Sequence, residues 1–401
     1  MLAFIIRLGL TIYTNNSSWD FADGDAGHYI QIAEQFNNGN YSLDYLKTGK
    51  AHRQFLYPLI CSIFINKNSN TFIFRFINVI FGSLMIIICY LFINKQYNRG
   101  YALLVSIFSL LNVYLIAISV IILTEVLFLF LLFFILCFLV KYLQEKNNLK
   151  NIVLCSIFCG LAYLTRPNAL SIFILITFVL LYFVIIKKEK IRNLFLFIFL
   201  FLIVTSPSII ARTLYCHNPF YHEYLSNFLW ADSFEQAHVW NSPITAYDYF
   251  KTHNILDMIK REIQGVRFIL TKEFRCNSIF NLFWMIGIFV SIIKRKNIVL
   301  TVLFLSLFFA YAWMAKGISF NTIRIFYYPL YPFMLIYFVE SIIFLKEDLF
   351  KKFSERWIII KKNEILILKA FTYTFIFLFA TELISELSKI MSMGMIKWYR
   401  F

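Results

Sequence analysis

The chain has 401 residues, of which 60% are hydrophobic and only 15% charged, whereas a soluble chain carries about 25% charge. Long apolar runs recur from end to end, which excludes an ordinary soluble enzyme and points to a polytopic membrane protein. The net charge of +16 lies in short basic runs between the apolar segments. It therefore reads as membrane topology rather than nucleic-acid binding.

In chain order, spans are expected over residues 2–14, 72–94, 101–122, 124–143, 151–164, 168–186, 193–211, 279–293, 298–315, 323–345 and 364–384, about eleven helices in an all-α protein. The first is short for a span, yet no small-residue cleavage site follows it, so it does not read as a signal peptide. Five connections are basic: Lys95 and Arg99; Lys141, Lys146 and Lys150; Lys187, Lys188, Lys190 and Arg192; Lys294, Arg295 and Lys296; and the run from Lys346 to Lys362. The alternate short loops hold little beyond Arg166, Lys316 and Arg324. The positive-inside rule then puts the N-terminus in the cytoplasm and the C-terminus outside.

Two long connections, 15–71 and 212–278, fall outside and are too apolar to be disordered. Tyr29, Ile32, Ala33 and Phe36 repeat at helical spacing and predict an amphipathic helix along the membrane surface. Ile255 to Leu270 is a similar piece in the second loop. The whole chain reads as one transmembrane domain, 1–401, with no separate soluble domain.

Ionisable groups at span ends are costly and suggest a site. On the expected outer side these are Asp23, Asp25, Arg53, Glu125, Arg166, Arg212, the Asn227–Asp232 stretch and Arg324. Carboxylates facing several arginines suit a reaction that needs a base and binds an anionic phosphate. Each residue also has a plainer role. Asp25 can N-cap a helix starting near Ala26, Glu125 can complement the dipole of its helix, and Arg166 and Arg324 can snorkel to the surface. The histidines, His28, His52, His217, His222, His238 and His253, show no zinc spacing. Cys155 and Cys159 stand four apart with no further ligand beside them. Cys216 and Cys276 are spaced so that a bridge is open to them outside the membrane. No glycine-rich phosphate loop is present.

Several segments resemble, in order, motifs of the GT-C superfamily of polytopic glycosyltransferases, above all the bacterial relatives of dolichyl-phosphate-mannose protein mannosyltransferases and of aminoarabinose transferases. They are Asp25-Ala-Gly-His-Tyr29-Ile-Gln-Ile-Ala33, Arg53-Gln-Phe-Leu-Tyr57-Pro58, Thr124-Glu125, Gly160 to Leu170 around Arg166-Pro167, Pro207 to Arg212 with Asn218-Pro219, Asn227-Phe-Leu-Trp230, and Arg324 to Pro332. The family usually has Pro at position 55, which is Phe here, and an acidic or small residue after the loop aspartate, which is Ala26. Its larger members carry a soluble domain that this chain lacks.

The resemblance implies a GT-C-like fold in a bacterial inner membrane. It implies a sugar donor linked to polyprenyl phosphate and a glycan, lipid or protein acceptor. By the same resemblance Asp25 is the general base, Glu125 a second carboxylate at the acceptor or sugar, and Arg53, Arg166 and Arg324 bind the donor phosphate. Tyr29, Tyr57 and Trp230 are candidate substrate contacts. Some members of the superfamily use a divalent metal and others do not; the carboxylate set here is thin, so no cofactor is expected and a metal is the less favoured alternative. Two rivals are a lipid-linked polysaccharide polymerase or ligase, which relies on arginines in a late loop, and a transporter or flippase, marked by inverted repeats and broken helices.

Overall fold

The computed structural model describes residues 1–15, 24–47, 53–65, 71–145, 148–222, 225–237, 239, 244–276, 278–318 and 327–350, and residues 377, 381, 384 and 385. Among them the regular structure is helical throughout. The chain runs α1 (Leu2–Asn15), α2 (Asp25–Asn37), a 3-10 turn (Asp44–Lys47), α3 (Leu56–Ser62), α4 (Phe72–Gln96), α5 (Arg99–Leu111), α6 (Val113–Val120), α7 (Glu125–Gln144), α8 (Leu149–Tyr163), α9 (Ala169–Ile185) and α10 (Ile191–Cys216). Four short or amphipathic helices follow, α11 (Leu225–Trp230), α12 (Phe234–Ala237), α13 (Ala246–Thr252) and α14 (Ile255–Cys276). Then come α15 (Ser278–Ile293), α16 (Ile298–Ile318) and α17 (Tyr328–Ile343).

Among the described residues five helices are long and apolar enough to cross a membrane: α4, α7, α10, most of α16, and α17 with the turn after it. α5 and α6 form a bent pair, and α1, α8, α9 and α15 are shorter apolar helices. Each sits where a span was expected. The expected span 364–384 lies almost wholly outside the described residues.

The third expected span is not one straight helix. α5 and α6 meet at 56°. The cause is Asn112, extended at φ −68° and ψ 111°, whose side chain accepts the Leu115 N–H. An Asn side chain offers the backbone an alternative to the helical ladder, and here it ends one helix and caps the next. Its amide also donates to the Tyr327 hydroxyl at 2.7 Å, which ties the bend to α17.

Charges are not confined to the expected outer ends of the spans either. Arg7, Arg75 and Glu340 lie buried in the bundle. Arg7 donates to Ser119 and to the carbonyl of Ala3. Glu340 accepts from Tyr97 at 3.0 Å and Asn297 at 3.3 Å, and pairs with Lys296 at 3.5 Å. That network clasps α4, the α15–α16 turn and α17 together. In an apolar medium each such group needs partners; Glu340 has three, while Nη2 of Arg7 has none among the described residues.

Two close helix crossings depend on glycine. Gly265 lets α14 rest on the Ala312 carbonyl of α16, and Gly287 lets α15 rest on the Tyr337 carbonyl of α17; a Cβ at either would overlap that backbone. Gly287→Ala should force α15 away from α17 and lower stability by about 1–3 kcal/mol. Thermal unfolding in detergent reads this directly, and an unchanged midpoint would mean the two helices do not approach there.

Candidate active site

The first connection folds back onto the bundle. The face of α2 is the expected one, Tyr29, Ile32, Ala33 and Phe36, with Ala26 added. That face packs on protein. Tyr29 and Ala33 join the main core, while Ile32 and Phe36 pack with Tyr45, Leu46 and Ala211 of α10 in a satellite cluster.

Asp25 is the first helical residue of α2, and the cap position is taken by Gly24 at φ 59°. The expected capping role for Asp25 therefore does not hold. Its carboxylate instead meets Nη2 of Arg53 at 2.5 Å. Arg53 also donates from Nη1 to the Tyr29 hydroxyl and from Nε to Nδ1 of His28, at 3.5 and 3.4 Å. Its guanidinium lies 5.2 Å from the centre of the Tyr29 ring. Burial alone would lower its pKa, but Tyr29 and Asp25 outweigh burial and hold it above the ordinary arginine value. Arg53 is thus a fixed cation.

A second pair stands beside the first. Pro167 cannot continue a helix, so α8 ends at Tyr163 and the chain turns, presenting Arg166. Its Nη1 meets Oε1 of Glu125 at 2.6 Å, at the first residue of α7. Thr124 joins the two pairs. Its hydroxyl lies 3.5 Å from that of Tyr29 and accepts from Arg166 at 3.4 Å. The continuous run is therefore Asp25, Arg53, Tyr29, Thr124, Arg166, Glu125.

The pairs differ in access. The side chains of Asp25 and Arg53 are 34% and 11% exposed, those of Glu125 and Arg166 1% and 16%. A general base must reach its proton, and of the two carboxylates only Asp25 is open to an incoming molecule.

The backbone around the site is held firmly. The Leu56 N–H donates to the Leu164 carbonyl at 3.0 Å, stitching the Arg53 segment to the Arg166 turn. Arg212, buried near the end of α10, donates to the carbonyls of Arg53 and Tyr221 and to Ser208. Ser208 in turn donates to Gln54 at 3.2 Å. Arg212 was an expected site residue; this geometry makes it a clamp on the loop. Tyr57 is fully buried edge-on beneath Tyr29, its hydroxyl donating to the Phe74 carbonyl. It supports the Tyr29 ring from below.

Trp230 belongs to another cluster. It packs against Tyr249, Phe250 and Trp313. Arg261 of α14 sits between the rings of Tyr249 and Trp313, donates to the carbonyls of Leu229 and Trp313, and faces Asp232. His253 stacks on Tyr249 and meets Asp232 at 3.0 Å. Arg324, Asp20, Asp23 and His52 lie outside the described residues, as does the side chain of Cys276. Among the described residues no three His, Cys, Asp or Glu side chains gather as metal ligands.

Sequence reasoning missed His28, Gln54 and the bridging role of Thr124. His28 was weighed only as a zinc ligand, although its place one turn along from Asp25 put it on the same helix edge. Gln54 adjoins Arg53, but nothing local marks its partner on α10.

Comparison with known proteins agrees with the motifs. The model of the dolichyl-phosphate-mannose-protein mannosyltransferase family matches residues 53–210, a stretch that begins at Arg53 and includes Glu125 and Arg166. The crystal structure of ArnT from Cupriavidus metallidurans bound to undecaprenyl phosphate superposes with a TM-score of 0.52 at 11% identity, over 99% of this chain and 73% of that one. At that identity the likeness is one of fold. No curated protein matches the sequence.

Proposed function

We propose that this polytopic membrane protein, GT-C-like in fold, transfers a sugar from a polyprenyl-phosphate donor to an acceptor outside the cytoplasmic membrane. The supporting observation is the run of two carboxylate–guanidinium pairs at one end of an apolar bundle, one carboxylate open and the other buried. An apolar bundle suits a donor that arrives sideways from the lipid. Fixed guanidinium groups suit a leaving group that departs as a phosphate anion.

In this reading Asp25 accepts the proton of an acceptor hydroxyl or amine. The freed electron pair attacks the anomeric carbon from the face opposite the leaving oxygen. The bond from that carbon to the phosphate oxygen breaks, polyprenyl phosphate departs with the electron pair, and the anomeric configuration inverts. Arg53 and Arg166, with Arg324, carry the phosphate charge. Glu125, paired with Arg166, fixes that guanidinium and the Thr124 hydroxyl in place. Arg53 is shared between Asp25 and the phosphate, so donor binding draws it from the carboxylate and leaves the base free. Protein partners and phosphate suffice for these steps, and none calls on a metal.

The test is direct. Purified protein in liposomes receives a panel of labelled undecaprenyl-phosphate sugars with cell-envelope glycan, glycolipid and peptide acceptors. Release of undecaprenyl phosphate together with labelled acceptor is expected. Turnover of a nucleotide sugar in place of the lipid donor, or movement of the intact lipid-linked sugar across the bilayer without transfer, would overturn the reading.

A further inference from the structure

Between the end of α6 at Val120 and the start of α7 at Glu125 the backbone leaves the helix. Ile121 is extended at φ −103° and ψ 150°, and the Leu123 N–H turns back to the Ile121 carbonyl at 3.0 Å, a three-residue turn. Such a break inside an apolar bundle frees carbonyls that no water can satisfy. Two polar side chains of α4, both fully buried, take them. Arg75 donates from Nε to the Val120 carbonyl at 2.6 Å. Asn78 donates from Nδ2 to the carbonyls of Ile121 at 2.7 Å and Leu123 at 3.0 Å.

We infer that Asn78 is a positioning residue for Glu125, an inference that rests on Glu125 belonging to the active site. One carboxamide bridges the two carbonyls that flank the turn, and the second belongs to the peptide that enters Thr124. That peptide fixes where α7 begins, and so where Thr124 and Glu125 project. A helix rotates about 100° and rises about 1.5 Å per residue, so a start shifted by one position would carry the carboxylate away from Arg166. Asn78 is buried in the bundle, where it also adjoins the Tyr57 hydroxyl beneath Tyr29, and only the part of its effect carried by the turn depends on Glu125.

Two double-mutant cycles on the full chain separate positioning from plain stabilisation. The first uses thermal unfolding of wild type, Asn78→Ala, Glu125→Gln and the double variant in detergent. If Asn78 sets the Glu125–Arg166 contact, Asn78→Ala lowers the midpoint further in wild type than in the Glu125→Gln background. Equal shifts in both backgrounds would overturn the inference. The second cycle uses transfer from whichever undecaprenyl-phosphate sugar the wild type turns over. Asn78→Ala should lower kcat about 10²-fold with donor KM nearly unchanged, and lower it less than about twofold further in the Glu125→Gln background. The same loss in both backgrounds would again overturn it. Full activity of Glu125→Gln would remove Glu125 from the reaction, while the thermal cycle would still decide whether Asn78 places it. If Asn78→Ala does not fold, both cycles run with Asn78→Ser, whose hydroxyl can donate to one of the two carbonyls.

Discussion

Asp25→Asn should bind undecaprenyl phosphate more tightly than wild type and yet transfer sugar about 10²–10⁴-fold more slowly. The two effects share one cause. Every nitrogen of the Arg53 guanidinium is engaged within the protein, Nη2 by Asp25, Nη1 by Tyr29 and Nε by His28. An arriving phosphate competes with the Asp25 carboxylate for Arg53. A neutral Asn competes less, so the lipid phosphate gains affinity while the acceptor loses its base. The substitution keeps the side-chain volume, and the loop stays clamped by Arg212 and stitched at Leu56, so the fold should survive. Titration with undecaprenyl phosphate, followed by tryptophan fluorescence, reads the first effect and the transfer assay the second. Weaker lipid binding would show that Asp25 and phosphate do not compete, and undiminished transfer would remove Asp25 as the base.

Arg166→Met should be the most destabilising single change in the site. Glu125 is almost wholly buried and its carboxylate meets Arg166 at 2.6 Å. Removing the guanidinium takes from this buried carboxylate the cation it meets, a loss of up to about 3–5 kcal/mol. Replacing both members is far milder, because no uncompensated charge remains. Glu125→Gln with Arg166→Met should therefore recover most of the lost stability and none of the transfer activity. Thermal midpoints of the single and double variants decide this. A double variant no more stable than Arg166→Met would mean that the pair is not the source of the loss.

The two carboxylates and two guanidinium groups of the site were visible in the sequence, but their pairing was not. Asp25, Arg53, Glu125 and Arg166 stand out because charge at the end of an apolar run is costly. Nothing in the spacing of Asp25 and Arg53, or of Glu125 and Arg166, says that they meet across separate elements. The apolar period of α2 identified its buried face, yet could not say whether protein or lipid covers it, since both are apolar. Hydropathy over 101–122 is continuous, so the break at Asn112 left no trace in it. The break shows only in the partners of that side chain, on α6 and α17. Arg75 and Asn78 escaped notice for a related reason. Their partners are backbone carbonyls of a turn, and a carbonyl freed by a turn has no signature in residue type.

The burial of Arg7 bears on how the chain enters the membrane. An arginine near the middle of an isolated span costs about 2.5–3.5 kcal/mol on insertion scales. Its side-chain partner, Ser119, is made more than 100 residues later in the chain. While the ribosome is still producing α4 and α5, α1 is therefore a poor guest of the bilayer. It should linger at the translocon or its chaperones until α6 emerges. Integration of the first helix is then a late event in biogenesis, and α1 of chains stalled before Ser119 should be open to a water-soluble label that finished chains exclude.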